Sequence, residues 1–412
     1  ELLYKIDHGK IKPQKALQDA LYSMLKGNEE FVLLDDQVVA YDKCNEIIRK
    51  SIADHHKRTI IIQGGPGTGK SVLAINLLVN TIKKYGQFAA YITKNAAPKT
   101  CYQKILSQAD KYKEIDIKTL FPSAHSLPYF SRNKIVVGLF DEAHRLQVKP
   151  YMYPGAHMIK DAINASLVSI FFIDETQRIT VNDIGSIRTI KEIAEEYDSE
   201  IIMGDELKLR AQFRCNGSDS FIAFINNLLM IEENANHMFD GDFDLRVFDN
   251  PNEMRDELRA LNEDRNKARM VAGYCYDWNV KHNRGEWDII LPFDFKAKWN
   301  LEDKAMYWAI DPQSFEEVGC IHTCQGLEFD YVGVFIGKDL VYRNGKVCTN
   351  KTAISKDDKT SKIRFAPDDL ADQLIKNTYK VLLTRGQKGC FIYCEDEALR
   401  EYLKKRINFR YN

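Results

Sequence analysis

Eight consecutive residues have the composition of a phosphate-binding loop: Gly64-Gly65-Pro66-Gly67-Thr68-Gly69-Lys70-Ser71. They fit the pattern G-x-x-x-x-G-K-[ST] and stand between the strand-like run TIIIQ and the helical run SVLAINLLVNTI. In that setting the glycines let backbone N–H groups face phosphate oxygens, and the helix N-terminus adds positive potential. Lys70 would reach the β and γ phosphate oxygens, and Ser71 would ligate Mg²⁺. A purely structural glycine-rich turn is the alternative, which the flanking strand and helix disfavour.

An acidic pair follows a later apolar strand in KIVVGLFDEAH. Asp141 would hold Mg²⁺ through its water shell, and Glu142 would orient or deprotonate an attacking water molecule. Outside this context an Asp-Glu pair is usually a charge pair at a helix N-terminus. The phosphate loop upstream favours the catalytic interpretation.

The next strand-like run, LVSIFFIDETQ, also ends in polar residues, Asp174, Glu175 and Gln177. Ligands of open parallel sheets bind at the carboxyl ends of the strands. Gln177 could therefore sense the γ-phosphate or the attacking water. A polar cap of the sheet without a catalytic role is the alternative.

Apolar, β-rich runs alternate with helix-length segments along the chain, which predicts βαβ units and an α/β fold with parallel sheets. A first series of four strands ends near residue 173, a second series begins near 245, and the break lies near Gly204-Asp205. We therefore expect a helical appendage at 1–30, a first domain at 31–203 and a second at 204–412. The polar stretch between Gly337 and Asn377 favours a solvated loop over a mobile flap.

Composition excludes several classes of protein. The 412 residues are 44% hydrophobic, enough for two ordinary domains, and 58 Lys+Arg against 59 Asp+Glu leave a net charge of -1. Any nucleic-acid site must then be a local groove. No apolar run approaches the roughly 18 residues of a membrane span, so we expect a soluble, cytoplasmic protein without membrane contact. The 9 cysteines lack a disulfide framework. Cys320/Cys324 and Cys390/Cys394 could be metal-ligand pairs, although strand packing explains them better.

The order of these and further motifs resembles that of superfamily 1 helicases. The wording of GGPGTGKSVLAINLL, FDEAHRL, CIHTCQGLEFDYVGVFIG and NTYKVLLTRGQKGCFIYC is similar to the Schlafen-type helicase domain and its bacterial relatives. The resemblance extends from about residue 31 to 396. It implies two tandem RecA-like P-loop domains with ATP and Mg²⁺ bound in the cleft between them.

The resemblance also implies roles for individual residues. Arg214 and Arg385 would be arginine fingers on the γ-phosphate, whose departing charge a guanidinium stabilises. Gln37 would recognise adenine, Gly326 would lie at the nucleotide, and Glu328 would accept a hydrogen bond from the ribose. The residues that would contact the nucleic-acid backbone are Thr93, Lys94, Asn95 and Thr323.

These features predict an ATP-dependent helicase or translocase acting on single-stranded DNA or RNA. Little room exists between Thr93 and Lys134 for a large accessory subdomain, so an ATP-switched binding module is the alternative. A small-molecule kinase would leave Arg385 and Gln325 without a role. The aromatic residues at 274–299, interleaved with lysines, suit either base stacking or the core. The resemblance also leaves room for a fused or associated nuclease domain.

Overall fold

A computed structural model describes most of the chain, as two compact units that divide between residues 211 and 212. The described residues are 33, 35–94, 119–210, 219–236, 243–263, 266–283, 285–300, 308–327 and 329–408. The expected appendage at 1–30 lies outside this part of the chain, as do Asn95, Arg214 and Glu328. Their predicted roles therefore stay predictions.

The described part of the first unit is a parallel sheet of six strands with helices on both faces. Its strands are β1 (Arg58–Gly64), β2 (Ala89–Thr93), β3 (Ile135–Asp141), β4 (Ser166–Ile173), β5 (Glu200–Ile202) and β6 (Lys208–Leu209). Its α-helices are α1 (Asp36–Asp54), α2 (Lys70–Tyr85), α3 (Met158–Ala165) and α4 (Ile187–Glu196). Short 3-10 turns span Ala124–Tyr129, Ala143–Arg145, Glu175–Gln177 and Asp205–Leu207.

Strand order determines which side chains can meet in the first unit. The strands follow the order β2-β3-β4-β1-β5, and β6 pairs with the end of β1. Strand β4 thus lies between β1, which leads into the glycine-rich loop, and β3, which ends at Asp141. Since all three are parallel, their carboxyl ends share one edge of the sheet.

Alternate side chains of each strand build two hydrophobic cores. Ile60 and Ile62 of β1 pack with residues of α1 and α2, whereas Ile61 packs on the other face with residues of α3 and α4. This alternation has the two-residue period of a strand, and burial on both faces explains the continuous apolar run. Packing on both faces thus fixes the strands whose ends form the edge of the first sheet.

The second unit is built on a sheet of seven described strands, all parallel except for one antiparallel pair. Its strands are β7 (Asp244–Val247), β8 (Ala268–Ala272), β9 (Ile289–Leu291), β10 (Phe295–Trp299), β11 (Glu317–Cys320), β12 (Phe329–Ile336) and β15 (Gly386–Cys394). A separate hairpin of β13 (Leu340–Arg343) and β14 (Lys346–Thr349) lies between β12 and β15 in the sequence. Its α-helices are α5 (Asp219–Leu228), α6 (Pro251–Glu263), α7 (Asn279–His282), α8 (Ile321–Cys324), α9 (Asp368–Leu383) and α10 (Glu397–Ile407), and its 3-10 turns are Pro312–Ser314, Lys351–Ala353 and Ile363–Phe365.

The α/β class and the parallel sheets expected from the sequence are confirmed. The segment between Gly337 and Asn377 differs from a plain solvated loop, because it contains the β13–β14 hairpin and much of α9. Alternating residues in a two-stranded ribbon give only a short apolar signal, which the many charges of this segment obscure.

The first unit extends past the boundary expected at residue 203. Strand β6 pairs with Gln63 and Gly64 at the end of β1, and Arg210 N–H donates to the Asp36 carboxylate.

Within the residues that the structure describes, no helix combines the length and apolar character needed to cross a bilayer.

Candidate functional site

The glycine-rich loop joins the end of β1 to the start of α2, as predicted. Gly67 and Gly69 adopt left-handed φ angles of 77° and 80°. A Cβ at Gly69 would lie 2.1 Å from Gln37 Nε2, so a side chain there would displace the Gln37 amide as well as strain the backbone. The same amide donates a hydrogen bond of 3.0 Å to the Thr68 carbonyl. Gln37, expected at the adenine, therefore packs against the loop from the first turn of α1.

Lys70 is buried and turned back over the loop. Its ammonium donates hydrogen bonds of 2.7 Å to the carbonyls of Gly64 and Gly65, and Thr68 Oγ1 donates to the Gly65 carbonyl at 3.0 Å. These contacts hold a cation inside the curve of the backbone, beside the N-terminus of α2. Such an arrangement attracts a polyanion.

Asp141 receives donors from two other elements. Ser71 Oγ, in the first turn of α2, and the Tyr91 hydroxyl, on β2, each lie 2.5 Å from Asp141 Oδ2. The N–H of Glu142 donates to the other carboxylate oxygen at 2.9 Å. The structure thus brings together the two predicted metal-binding oxygens.

The β3 and β4 ends are connected through His144. Glu142 has a left-handed φ of 52°, and its Oε2 lies 3.2 Å from His144 Nε2. The N–H of Asp174 donates to His144 Nδ1 at 3.4 Å, and Gln177 Nε2 donates to Asp174 Oδ2 at 2.7 Å. Glu175 lies apart from this group, because its exposed carboxylate accepts from the N–H of Ile187 at the start of α4.

Burial shapes the electrostatics of this edge. Burial and the neighbouring Glu142 charge raise the pKa of Asp141, against hydrogen bonds from Ser71 and Tyr91 that lower it. For Asp174, burial raises the pKa, but the charge of Lys70 and the hydrogen bonds from Gln177 and Thr176 outweigh burial, so the pKa is lowered. Burial also lowers the pKa of His144, which favours the neutral ring.

Thr93 and Lys94, the predicted nucleic-acid contacts at the end of β2, are held within the first unit. Thr93 is buried and pairs with Asp141 across β2 and β3. The Lys94 ammonium lies 3.7 Å from Asp183, a fully buried carboxylate that is also 3.9 Å from Arg145. Burial lowers the pKa of Lys94 to about 8. Nucleic-acid contact by either residue stays a prediction.

The predicted residues of the second unit lie at two strand boundaries. Thr323 is half-buried in the helical turn after β11, Gln325 is fully buried, and Gly326 has a left-handed φ of 84°. Arg385, between α9 and β15, is also fully buried. Its guanidinium donates to the carbonyls of Val381 at 2.9 Å and Leu327 at 3.3 Å.

The aromatic residues at 274–299 divide into core and surface. Tyr274 and Trp299 are buried and stacked, with ring centroids 6.1 Å apart. Trp287 is exposed, and the Lys298 ammonium lies 5.8 Å from its ring centroid. The core interpretation therefore holds for the first two residues, and Trp287 remains available at the surface.

The model of one protein family matches residues in both units. Its model, described as Schlafen group 3, DNA/RNA helicase domain, matches residues 57–396. The chain belongs to this family. It is also 25% identical over 388 residues to the uncharacterized protein YPL245W of Saccharomyces cerevisiae, a match that covers 84% of each chain.

Solved helicase structures resemble the chain more distantly. The Pif1 helicase from Bacteroides in complex with ADP-AlF3 and ssDNA has a TM-score of 0.40 and 11% identity, with 90% of this chain and 94% of that chain covered. The Pif1 helicase from Candida albicans has a TM-score of 0.37 and 12% identity, with 91% of this chain and 99% of that chain covered. The arterivirus nonstructural protein 10 helicase has a TM-score of 0.37 and 12% identity. That match covers 89% of this chain but only 64% of the viral chain, less than two thirds of its length.

The nucleotide and Mg²⁺ expected of a helicase domain fit the residues present. The Ser71 and Asp141 oxygens are hard donors that lie side by side, as Mg²⁺ requires. Lys70 and the positive-φ glycines Gly67 and Gly69 provide a curved backbone with a buried cation, as a phosphate group requires. By contrast, the described His, Cys, Asp and Glu side chains form no cluster of three or more that could hold another metal, and the paired cysteines at 320/324 and 390/394 are buried free thiols.

Sequence reasoning missed three side chains of the helicase domain's first unit. Tyr91 lies in an apolar strand and has the pattern of a core residue, although its hydroxyl reaches Asp141. His144 was visible only as part of FDEAH, without a contact to assign to it. Asp183 lies in a loop, and its partners Lys94 and Arg145 are distant in sequence. For Asp183, no short-range signal could have indicated these contacts.

Proposed function

We propose that this helicase domain hydrolyses ATP with Mg²⁺ and uses the reaction to move along, or remodel, single-stranded nucleic acid. The observation that carries the proposal is the convergence of Ser71 Oγ and Asp141 Oδ2, 2.5 Å apart, next to the loop that contains Lys70. A structural turn needs neither a buried lysine nor a buried carboxylate. Both are costly to bury unless they are paired or bind a charged ligand.

Each residue of the first unit then has a defined task. Lys70 exchanges its two carbonyl partners for phosphate oxygens, and Gly65, Pro66, Gly67, Thr68 and Gly69 surround the phosphates with backbone. Ser71 and Asp141 would hold Mg²⁺, which neutralises charge on the β and γ phosphates. Glu142 accepts a proton from, or orients, the attacking water, and Gln177 responds to the γ-phosphate from the end of β4.

The second unit contributes the remaining assignments of the proposal. Arg385, with Arg214, supplies positive charge to the γ-phosphate as it leaves. Arg385 would have to exchange its carbonyl partners at Val381 and Leu327 for phosphate oxygens, so its action requires a rearrangement within its own unit. Gly326 and Glu328 bind the nucleotide, and Thr323 contacts a nucleic-acid phosphate.

Nucleic acid is the proposed partner because the family is one of DNA/RNA helicase domains. With a net charge of -1, the chain has no global basic field, so contact must come from a local surface. Binding should therefore weaken as salt concentration rises, with a slope set by the few phosphates contacted.

The decisive experiment is steady-state ATPase with Mg²⁺ across single- and double-stranded DNA and RNA. Stimulation by single strands of at least one type is expected. A chain that hydrolyses ATP at the same rate with and without every nucleic acid would contradict the coupling. Displacement of a bound protein roadblock from one end of a strand tests movement, and stimulated hydrolysis without displacement would favour the ATP-switched binding module.

A further inference from the structure

The segment 355–366, between β14 and α9, separates its charged residues from its buried ones, and we call it the basic segment. Buried and exposed positions repeat there every three residues. Those that face the protein are Ser355, Asp358 and Ser361, and those that face solvent are Lys356, Lys359 and Lys362. Each of these lysines directly follows a buried residue, so the outer side of the segment is lined with ammonium groups.

The two acidic residues of the basic segment are held against the second unit. Asp357 Oδ2 accepts a hydrogen bond of 2.9 Å from the Trp278 N–H, in the loop after β8. The Asp358 carboxylate accepts from the N–H groups of Thr360 at 3.1 Å and Ser361 at 2.8 Å. Because these carboxylates already have backbone donors, the outer surface keeps the positive charge of the lysines.

The three exposed lysines differ from Lys351, which lies just before the basic segment. The Lys351 ammonium lies 2.6 Å from the Asp368 carboxylate and donates to the Ala366 carbonyl at 2.7 Å. Among the residues that the structure describes, the ammonium groups of the three exposed lysines form no ion pair. Like charges so close in the sequence repel one another, and a bound polyanion relieves that repulsion.

An aromatic ring lies beside these lysines. Phe365 is 85% exposed, and its N–H donates to the Lys362 carbonyl at 3.1 Å, so the two residues belong to one turn. Arg364 fixes this turn, because its guanidinium donates to the carbonyls of Thr352 and Ile354, each at 2.6 Å. An exposed ring on a fixed turn next to cations is suited to stack on a nucleic-acid base.

The basic segment adjoins the turn that bears Thr323. Asp358 Oδ1 lies 3.6 Å from Nε2 of His322, the residue before Thr323. The Ser355 N–H donates to the Tyr274 carbonyl at 3.0 Å, and the Tyr274 ring centroid lies 5.4 Å from that of His322. The exposed lysines therefore belong to the same part of the second unit as the residue proposed to contact a nucleic-acid phosphate.

We propose that the basic segment is a binding surface for single-stranded nucleic acid: its three exposed lysines pair with backbone phosphates, and Phe365 stacks on a base. The positive charge complements phosphate, and contact with the Thr323 turn lets one strand cover both places. The inference rests on the nucleic-acid partner of the proposed function and assigns that partner a site.

The first test removes the three charges together, as Lys356→Gln, Lys359→Gln and Lys362→Gln in one chain. Binding is measured by fluorescence anisotropy of labelled oligo(dT) and oligo(U), without ATP, over a series of salt concentrations. Each phosphate neutralised on a single strand contributes about 0.7 to the slope of log K against log salt, so the slope should become shallower by about 2. The Kd at about 0.1 M salt should rise by up to about a hundredfold.

The matched control chain carries Lys50→Gln, Lys84→Gln and Lys405→Gln, which remove the same charge from exposed positions on α1, α2 and α10. The control chain should keep the wild-type slope and Kd. Thermal midpoints of both variant chains should match that of wild type, since all the replaced side chains are exposed. Wild-type slope and Kd in the first triple variant would overturn the proposal, and so would equal losses in the control chain.

Phe365→Ala tests the stacking contact by itself. Loss of one stacked base should weaken binding by about five- to a hundredfold. The salt slope should stay at the wild-type value, because no phosphate contact is removed. Phe365→Tyr keeps an aromatic ring and should bind as wild type does. Equal Kd values for Phe365→Ala and wild type would overturn the role of the ring.

Polyglutamate distinguishes nucleic acid from an acidic protein partner, because it has negative charge without phosphates or bases. At equal charge concentration it should displace the labelled strands poorly. If polyglutamate binds as tightly as the oligonucleotides and is equally sensitive to the lysine substitutions, the surface belongs to an acidic protein and the proposal is overturned.

The same measurements separate this inference from the proposed function. A wild-type chain that binds neither oligonucleotide would show that the proposed partner is wrong, and the binding surface would fail with it. If the wild-type chain binds a strand and the first triple variant binds it equally well, the proposed function stands and the basic segment is excluded as the site.

Discussion

Asp174 and Asp339 are two buried carboxylates at the carboxyl edge of a sheet, one in each unit, with different surroundings. Asp174 follows β4 and accepts a hydrogen bond from the Gln177 amide. Burial raises its pKa, but the charge of Lys70 and this hydrogen bond help to lower it. Asp339 follows β12 and accepts a hydrogen bond of 2.5 Å from the Tyr379 hydroxyl. Burial raises the pKa of Asp339 to about 6.

The contrast shows that strand order alone does not make a binding edge. We call the edge that bears Asp141 and Asp174 the first edge and the edge that bears Asp339 the second edge. The first edge combines carboxylates with the Lys70 cation, whose hydrogen bonds to loop carbonyls can be exchanged for bonds to a charged ligand. At the second edge the donor to the carboxylate is a neutral hydroxyl, and burial makes the Asp339 carboxyl harder to ionise than an exposed one. We therefore expect nucleotide chemistry to depend on the first edge far more than on the second.

Replacing Lys70 with Ala should have the largest effect, because it removes the cation of the first edge. Turnover should fall by at least about a hundred- to a thousandfold, the cost of losing one donor to a developing phosphate charge. The measurement is steady-state ATPase with saturating single strands. Lys84→Ala, at the other end of α2, should keep wild-type turnover. Undiminished hydrolysis by the Lys70 variant would remove the loop from the mechanism.

Arg385→Ala tests whether the second unit joins in the chemistry. As an arginine finger, Arg385 should be worth about 10³-fold in kcat, with ATP affinity retained. Its buried guanidinium also satisfies two carbonyls, so a loss of stability of about 1–3 kcal/mol is expected as well.

Arg400→Ala is the matched control for that structural loss, since the Arg400 guanidinium also donates to a carbonyl of the second unit, that of Cys394 at 2.8 Å. Thermal denaturation and kcat should be measured on both variants. If Arg385→Ala is destabilised like Arg400→Ala but hydrolyses ATP normally, Arg385 is a structural residue.

Much of the first edge could be predicted from the sequence because its signals are local. The loop residues are consecutive, Asp141 and Glu142 follow one apolar run directly, and Gln177 lies in the polar segment that follows the next apolar run. The parallel sheet then brings these strand ends together without any further information. The α/β class followed from the same alternation of runs.

The remaining features depend on contacts that sequence spacing does not encode. Tyr91 differs from a core residue only by a hydroxyl that happens to reach Asp141. Lys94 was expected to face a phosphate, yet its ammonium lies 3.7 Å from the carboxylate of Asp183, about ninety residues further along the chain. Arg385 likewise contacts Val381 near the end of α9 and Leu327 in the turn before β12, a pairing that no motif specifies.

Tyr91→Phe should have a smaller effect, confined to Mg²⁺ binding at Asp141. It removes one of the two hydroxyl donors to Asp141 Oδ2 and leaves the ring packed against Phe121. The Mg²⁺ concentration for half-maximal ATPase should rise by about tenfold, the lower end of the range for a partner behind a metal ligand. Tyr129→Phe, at an exposed tyrosine, is the control. Identical Mg²⁺ curves for Tyr91→Phe and wild type would show that the hydroxyl does not orient Asp141.

Asp339→Asn should have the smallest effect and should appear in stability rather than turnover. Because the pKa of Asp339 is raised to about 6, the folded state binds its proton more tightly than the unfolded state does. The stabilisation from that proton is complete below the ordinary carboxyl pKa and is lost as pH rises towards 6. The Asn variant lacks this loss, so its stability relative to wild type should increase between pH 4 and 7 by up to about 3 kcal/mol. Thermal midpoints across that range measure it.

Tyr379→Phe removes a hydrogen bond that lowers the pKa of Asp339, so it should extend the wild-type loss to higher pH. Parallel stability curves for wild type and Asp339→Asn would mean that the second edge holds a charged carboxylate as well as the first does, and the contrast between the two edges would then have to come from Lys70 alone.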